Sequence, residues 1–183
     1  NKRVLEHVVK LYGVTKEGYS VSVNNTGFKP YFYIKVGDIS VIQKTKLIEK
    51  IKTSLEEKYP KKNYGNYIIG SDFVNRKDFY GFKNNKKFKF IRLVFENSTA
   101  MNRTNEIIKK GIQSKTGKKY FKIYESNITP FIRFIHTREL NAAGWVKIKK
   151  NKYSVNRNEN RTSNCQIDID IDWHDIECVE NNE

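Results

Sequence analysis

The 183-residue chain is poor in the residues that staple, kink or ligate: it has two cysteines, three histidines, three prolines and one methionine. Cys165 and Cys178 are too few and too near one end to clamp a fold, so reduced thiols in an intracellular setting are expected. His7, His136 and His174 fall at no zinc-ligand spacing with them. No run approaches the ~20 apolar residues that span a bilayer, and Asn1-Lys2-Arg3-Val4-Leu5-Glu6 lacks the apolar core of an export signal. A soluble chain with no membrane partner is expected, and the glycosylation patterns at Asn97-Ser98-Thr99 and Asn127-Ile128-Thr129 then carry no meaning. Also missing are a glycine-rich phosphate loop, a nucleophile elbow and a Cys/His arrangement for catalysis. The sequence starts without Met and ends on the polar Val179-Glu180-Asn181-Asn182-Glu183, which reads as a fragment stopping in a linker.

Acid is scarce as well. Lys and Arg total 35 against 20 Asp and Glu, a net charge of +15. From Gln166 onward seven acids stand without a lysine or arginine, so residues 1–165 hold all 35 cations against 13 acids. Such a surface draws polyanions and makes their binding fall steeply with salt. Lys outnumbers Arg 27 to 8, the bias of an AT-rich coding sequence, so the charge supports nucleic-acid binding without proving it.

What is present is periodicity: 38% hydrophobic and 13% aromatic residues, set in patterned segments that argue for a folded chain. Residues 4–12 and 19–23 read as a hairpin turned at Glu17-Gly18, and 30–36 as a strand with Pro30 at its edge. Over 43–58, Leu47, Ile48, Ile51 and Leu55 share one helix face, and Pro60 stops the helix. Strands at 67–74 and 88–95 follow, separated by Gly81 and Asn84-Asn85. A second helix starts near Ser98, runs through Ile107, Ile108 and Ile112 and fades at Gly117, before a short strand at 120–124. Residues 30–124 thus spell β-α-β-β-α-β, the α+β split unit of ferredoxin-like and RNA-recognition-motif (RRM) domains.

Beyond it, Asn127 is placed to cap a third helix whose wide apolar face (Ile128, Phe131, Ile132, Ile135) reads as buried. Strands at 144–148 and 165–173 flank a polar loop and are placed to pair with the N-terminal hairpin. The expected organisation is a ferredoxin/RRM-like unit with its following helix at 27–139, inserted in a small β lobe of 1–26 and 140–174. Residues 175–183 then begin a linker.

Two carboxylate patterns invite chemistry. Asp175-Ile176-Glu177 points two acids to one side of a strand, as metal-dependent phosphodiester hydrolysis requires. The motif is short, and it follows an alternating strand and leads into solvent-loving residues, so a strand end is the better reading. Asp168, Asp170 and Asp172 share one strand face, read as solvated or as answering nearby lysines rather than as a metal site. No catalytic and no metal-binding residue is therefore assigned. Lys83, Lys86, Lys87, Lys89, Lys118 and Lys119 are the candidate nucleic-acid contacts. The aromatic strands at 30–36 and 86–95 occupy positions where RRM domains stack bases. Tyr31, Phe32 and Tyr33 read as packing instead, because the Gly-flanked aromatic signature is absent.

Specific strings add a resemblance. Leu11-Tyr-Gly-Val-Thr15, Glu17-Gly18-Tyr-Ser-Val21 and Gly27-Phe28-Lys29-Pro30-Tyr31-Phe32-Tyr33 are followed by Phe79-Tyr-Gly-Phe82, Tyr124-Glu-Ser-Asn-Ile128 and Phe131-Ile-Arg-Phe134. Gly144-Trp145, Thr162-Ser-Asn-Cys-Gln166 and Trp173 complete the series. In this order, over nearly the whole chain, they resemble the N-terminal region of delta-type family B DNA polymerases, including those of large DNA viruses. The resemblance implies a parent enzyme that copies DNA with Mg²⁺ and proofreads 3′ to 5′, in the nucleus or at a cytoplasmic viral replication site. It implies that the exonuclease carboxylates lie on a later strand and not at Asp175 and Glu177. This segment would then be an inactive scaffold with no cofactor of its own. It would line the path of the template strand and pack on the exonuclease and palm domains. Two other readings compete: a free-standing RRM-like single-stranded nucleic-acid-binding protein, which needs Phe88 and Phe90 facing solvent, and a minimal nuclease using Asp175 and Glu177.

Overall fold

The computed structural model describes residues 6–77, 87–114 and 116–179. The class is mixed α+β, as the sequence pattern implies. Two compact units form: one takes both chain ends, Asn1–Phe28 with Thr129–Glu183, and the other is Lys29–Ile128.

The unit of both ends is built on strands β1 (Val9–Val14) and β2 (Ser20–Thr26), an antiparallel hairpin. The inner unit contributes β3 (Tyr31–Lys35), helix α1 (Val41–Lys58), β4 (Ile68–Lys77), β5 (Lys87–Phe95), helix α2 (Ser98–Lys109), β6 (Ile112–Ser114), β7 (Gly117–Lys119) and β8 (Ile123–Tyr124). The chain returns through helix α3 (Pro130–Thr137), β9 (Val146–Ile148), β10 (Tyr153–Val155), β11 (Ile167–Asp172) and β12 (Ile176–Cys178).

In the inner unit the strand order is β4-β5-β3-β8, with every neighbouring pair antiparallel. Helix α1 starts where Ser40 and Gln43 satisfy each other's backbone N–H groups, a reciprocal cap that fixes the first turn. It buries Ile51 and Leu55 completely against Phe32, Ile34, Ile91, Leu93 and Phe95 of the sheet. Each such side chain contributes roughly 1.5–3 kcal/mol of hydrophobic stabilisation. Asn97 caps α2 by accepting from Ala100 N, and α2 adds Met101, Ile107 and Ile108 to the same core.

Helix α2 ends earlier than its apolar pattern suggests. Gly111 adopts φ +86°, a left-handed conformation that breaks the helix at little cost for glycine. Ile112 therefore leaves the helix and opens β6, which pairs with β7 as a small hairpin instead of continuing α2 to Gly117. The last strand of the sheet shortens accordingly to Ile123–Tyr124.

The sheet face away from the helices carries Tyr31, Tyr33, Phe90 and Tyr124, whose rings contact one another edge-on, with Phe90 and Tyr124 centroids 5.3 Å apart. Phe90 is 3% exposed. A base-stacking platform that needs Phe90 open to solvent is thereby overturned, and with it the free-standing RRM-like reading.

In the other unit the sheet order is β1-β2-β11-β10, and β9 pairs with β12. The 144–148 segment thus joins β12 rather than the N-terminal hairpin, whose partner is β11, in parallel register. Val9, Val23, Ile169, Ile171 and Ile176 form the core with Phe28, whose ring sits edge-on to Phe134 and Trp173. Gly27, at φ +84°, lies where a Cβ would stand 3.2 Å from both Asp172 Oδ2 and Trp173 Cδ1. The cap of α3 is Thr129, not Asn127: its hydroxyl accepts from Ile132 N, and Pro130 occupies the first turn, where no N–H is needed. The apolar face of α3 is only partly buried, with Phe134 inside and Phe131 and Ile132 exposed. Among the described residues no helix is long and apolar enough to cross a membrane.

Candidate nucleic-acid interface

The acidic face of β11 is closed at Asp168 and opens to solvent at Asp172. Asp168 is 1% exposed. It accepts from the Asn24 and Asn156 amides at 3.0 and 3.1 Å, from Thr162 N at 2.9 Å and from the Ser163 hydroxyl at 2.8 Å. The same two amides reach Asp170 at 2.7 Å each. Amides, not lysines, answer these carboxylates. Burial alone would push the Asp168 carboxyl up; the donors of Asn156, Ser163 and Thr162 outweigh it and hold the group below the ordinary carboxylate range. Asp172 accepts from His174 N and pairs with its ring at 2.6 Å.

Asp175 and Glu177 are each answered by a lysine. Lys152 Nζ lies 3.6 Å from Asp175, and Lys149 Nζ lies 2.9 Å from Glu177, whose carboxyl is held below its usual range by that lysine. Among the described residues no three His, Cys, Asp or Glu side chains are gathered to hold a metal ion. Cys165 and Cys178 are free thiols.

Cationic character concentrates instead in the inner unit. A cleft of about 730 Å³ opens beside α1, and five of its lining residues are lysines: Lys35, Lys46, Lys50, Lys119 and Lys122. Among the described residues no aspartate or glutamate lines it. Lys46 and Lys50 come from one turn of α1, Lys119 ends β7, and Lys122 lies between β7 and β8. Three aromatic residues complete the wall. Lys35 Nζ sits 3.7 Å from the centroid of the Phe88 ring, Lys119 Nζ 5.3 Å from that of Phe121, and Tyr120 is 68% exposed. Among the described residues neither Lys46, Lys50 nor Lys122 forms an ion pair. Lys46, Lys50 and Lys122, like charges on one concave surface, repel one another until a polyanion neutralises them.

The lysines singled out from sequence divide against this cleft. Lys83 and Lys86 lie outside the described residues. Lys119 lines the cleft, and Lys118 is exposed beside it on β7. Lys87 is exposed and stands opposite Lys77 in the β4–β5 register, a like-charge pair that a bound anion would relieve. Lys89 is committed to structure: its Nζ donates to Ile39 O at 2.9 Å, lies 3.4 Å from Asp38 and covers the Phe73 ring at 4.3 Å. Lys35, Lys46, Lys50, Lys122 and Tyr120 were not legible as a group. The lysine-rich face of α1 was visible, but only the β6–β7 hairpin brings 119–122 beside it.

Two family profiles match the chain. Residues 27–102 match "DNA polymerase delta catalytic subunit-like, N-terminal domain", and residues 121–183 match "DNA polymerase family B, exonuclease domain". The chain is 32% identical over 177 residues to a DNA polymerase of Pyramimonas orientalis virus, covering 97% of this chain and 14% of that protein. It is 29% identical over 176 residues to a DNA polymerase delta catalytic subunit of Glycine max, covering 92% of this chain and 16% of that subunit. The fold is similar to that of the family B DNA polymerase from Pyrobaculum calidifontis, with a TM-score of 0.57 at 17% identity, over 94% of this chain and 18% of that one. The chain thus spans about a seventh of the length of the curated relatives it matches.

Proposed function

We propose, from the premise that the chain belongs to the family B DNA polymerases and corresponds to their delta-like N-terminal and exonuclease region, that it is the N-terminal scaffold of a DNA-directed DNA polymerase acting in DNA replication. The single observation carrying its contact with DNA is the lysine cleft of the inner unit, lined by no acid among the described residues. The order of the two profile matches along the chain supports the assignment to such an enzyme. Polymerisation and 3′-to-5′ proofreading belong, in this reading, to further domains of the same polypeptide. The exonuclease and palm domains are the partners against which this scaffold rests. Replication in the nucleus or at a viral replication site is the setting that fits relatives from viruses and eukaryotes.

Enzymes of this family use divalent metal ions, Mg²⁺ in the present proposal, to activate the attacking oxygen and to neutralise phosphate charge. The acids of this segment do not fit such an ion: Asp168 is filled by amide, hydroxyl and backbone donors, Asp170 shares the same two amides, and Asp175 and Glu177 each hold a lysine. No step through metal is assigned to these residues. Their work is to bind and orient. The lysines attract the phosphate backbone, and the core of the inner unit keeps the cleft in a fixed shape.

The test is primer extension by the longer polymerase, with and without this segment. The expected result is extension that depends on the segment and that weakens, with a shallower salt dependence of primer–template binding, when the cleft lysines are exchanged for glutamate. A longer polypeptide that neither extends primers nor binds primer–template would overturn the reading.

A further inference from the structure

The cleft is selective in its make-up. Lys46 and Lys50 are one helical turn apart, about 6 Å along the axis, the order of one nucleotide step in an extended strand. Lys122 lines the same cleft from the segment between β7 and β8. Tyr120 lines the cleft with these cations, 68% exposed, with its ring resting on Gly111: a Cβ at Gly111 would stand 3.0 Å from Tyr120 Cε1. The two other rings of the wall are already covered: Phe88 has Lys35 over its face at 3.7 Å, and Phe121 has Lys119 at 5.3 Å. Tyr120 is therefore the ring offered to a ligand.

Charge alone would suit any polyanion, and the ring narrows the choice. A duplex keeps its bases stacked inside and presents phosphates on a convex cylinder. A cleft of about 730 Å³ admits a few nucleotides of flexible strand and not that cylinder. An unpaired strand supplies both of the groups the cleft answers, phosphates for the lysines and an open π-face for tyrosine. An acidic peptide supplies only the first.

We propose that the cleft beside α1 is a binding site for unpaired DNA strand, with phosphates on Lys46, Lys50 and Lys122 and one base stacked on Tyr120. This deepens the polymerase reading and rests on it for the choice of DNA as the nucleic acid. The site holds single strand by backbone and stacking, without reading sequence, and discriminates against duplex.

The experiment is fluorescence anisotropy on the 183-residue chain with three labelled probes: an oligothymidylate, a blunt duplex of equal length and a poly-glutamate peptide. Wild type binds the oligothymidylate more tightly than the duplex. The double variant K46E/K50E weakens the single strand about tenfold or more and flattens its salt dependence by about 1.4 in log–log slope. Tyr120→Ala weakens the single strand roughly 5- to 150-fold and leaves duplex binding unchanged, while Tyr120→Phe retains it. The control K16E/K61E changes the same net charge away from the cleft and moves binding less. Thermal melts showing all variants folded exclude a stability artefact, since every altered side chain is on the surface. Equal binding by K46E/K50E and its control overturns the site, as does poly-glutamate binding with the same variant dependence where oligothymidylate does not bind. Either failure with primer extension intact in the longer polymerase sinks the cleft alone; loss of extension there sinks the polymerase reading.

Discussion

The side-chain amide of Asn24 donates to Asp168 at 3.0 Å and to Asp170 at 2.7 Å, joining positions 144 and 146 residues apart in the chain. Asn156 repeats the bridge from the other side at 3.1 and 2.7 Å. The parallel β2–β11 pairing that closes the unit of both chain ends is therefore secured by side chains as well as by its backbone ladder.

Removing the shared acceptor should expose that role. In Asp168→Ala the amides of Asn24 and Asn156 and the donors of Thr162 and Ser163 lose their buried acceptor, at a cost of about 2–3 kcal/mol. Urea unfolding of the variant against wild type measures it. A loss below about half a kcal/mol, the level of an ordinary surface change, contradicts the latch.

The same group sets a pH dependence. Asp168 titrates lower in the folded chain than when unfolded, so the unfolded state binds the proton more readily on acidification. Its stabilising contribution is complete above the unfolded value of about 3.9 and is lost as pH falls through the lower folded value. The stability gap between wild type and Asp168→Asn should narrow as pH drops below about 4. Urea midpoints measured across that range test it, and a gap that stays constant opposes it.

Gly111 ties helix termination to the cleft. Alanine there must hold φ +86° and place a Cβ 3.0 Å from Tyr120, so Gly111→Ala should cost about 1–2 kcal/mol and displace the ring. Denaturant melts read the first effect and oligothymidylate affinity the second. Full stability with unchanged affinity would show that the ring does not depend on this glycine.

Asp175 and Glu177 are charge partners of Lys152 and Lys149 in this account. Incubation of the 183-residue chain with a labelled single strand and Mg²⁺ should give no digestion. The Asp175→Ala, Glu177→Ala double variant should behave identically. Digestion by wild type that the double variant loses would make the pair a nuclease centre.

Much of the fold was legible locally. The apolar spacing of Leu47, Ile48, Ile51 and Leu55 and the stop at Pro60 mark α1 because periodicity and chain termination act within a few residues, and the β-branched runs mark the strands of both sheets. What escaped was set at longer range. The stop at Gly111 is a backbone conformation, invisible to apolar periodicity that continues to Ile112. Thr129 and Pro130 displaced Asn127 as the start of α3 because proline suits the first turn. Alternation in Ile-Asp-Ile-Asp-Ile-Asp correctly separated two faces of β11. It could not reveal that Asn24, Asn156 and Thr162 cover the acidic one. For the site, the basic and aromatic composition was visible, but the grouping of Lys46, Lys50 and Lys122 around Tyr120 exists only once the β6–β7 hairpin has formed.

The most direct measurement is photo-crosslinking of the 183-residue chain to a bromodeoxyuridine-substituted single strand, followed by mass spectrometric mapping of the attached peptide. Crosslinks should fall on Tyr120 and its neighbour Phe121 and disappear in K46E/K50E. Crosslinks confined to the unit of both chain ends, or persisting unchanged in that variant, would place nucleic acid elsewhere and contradict the account.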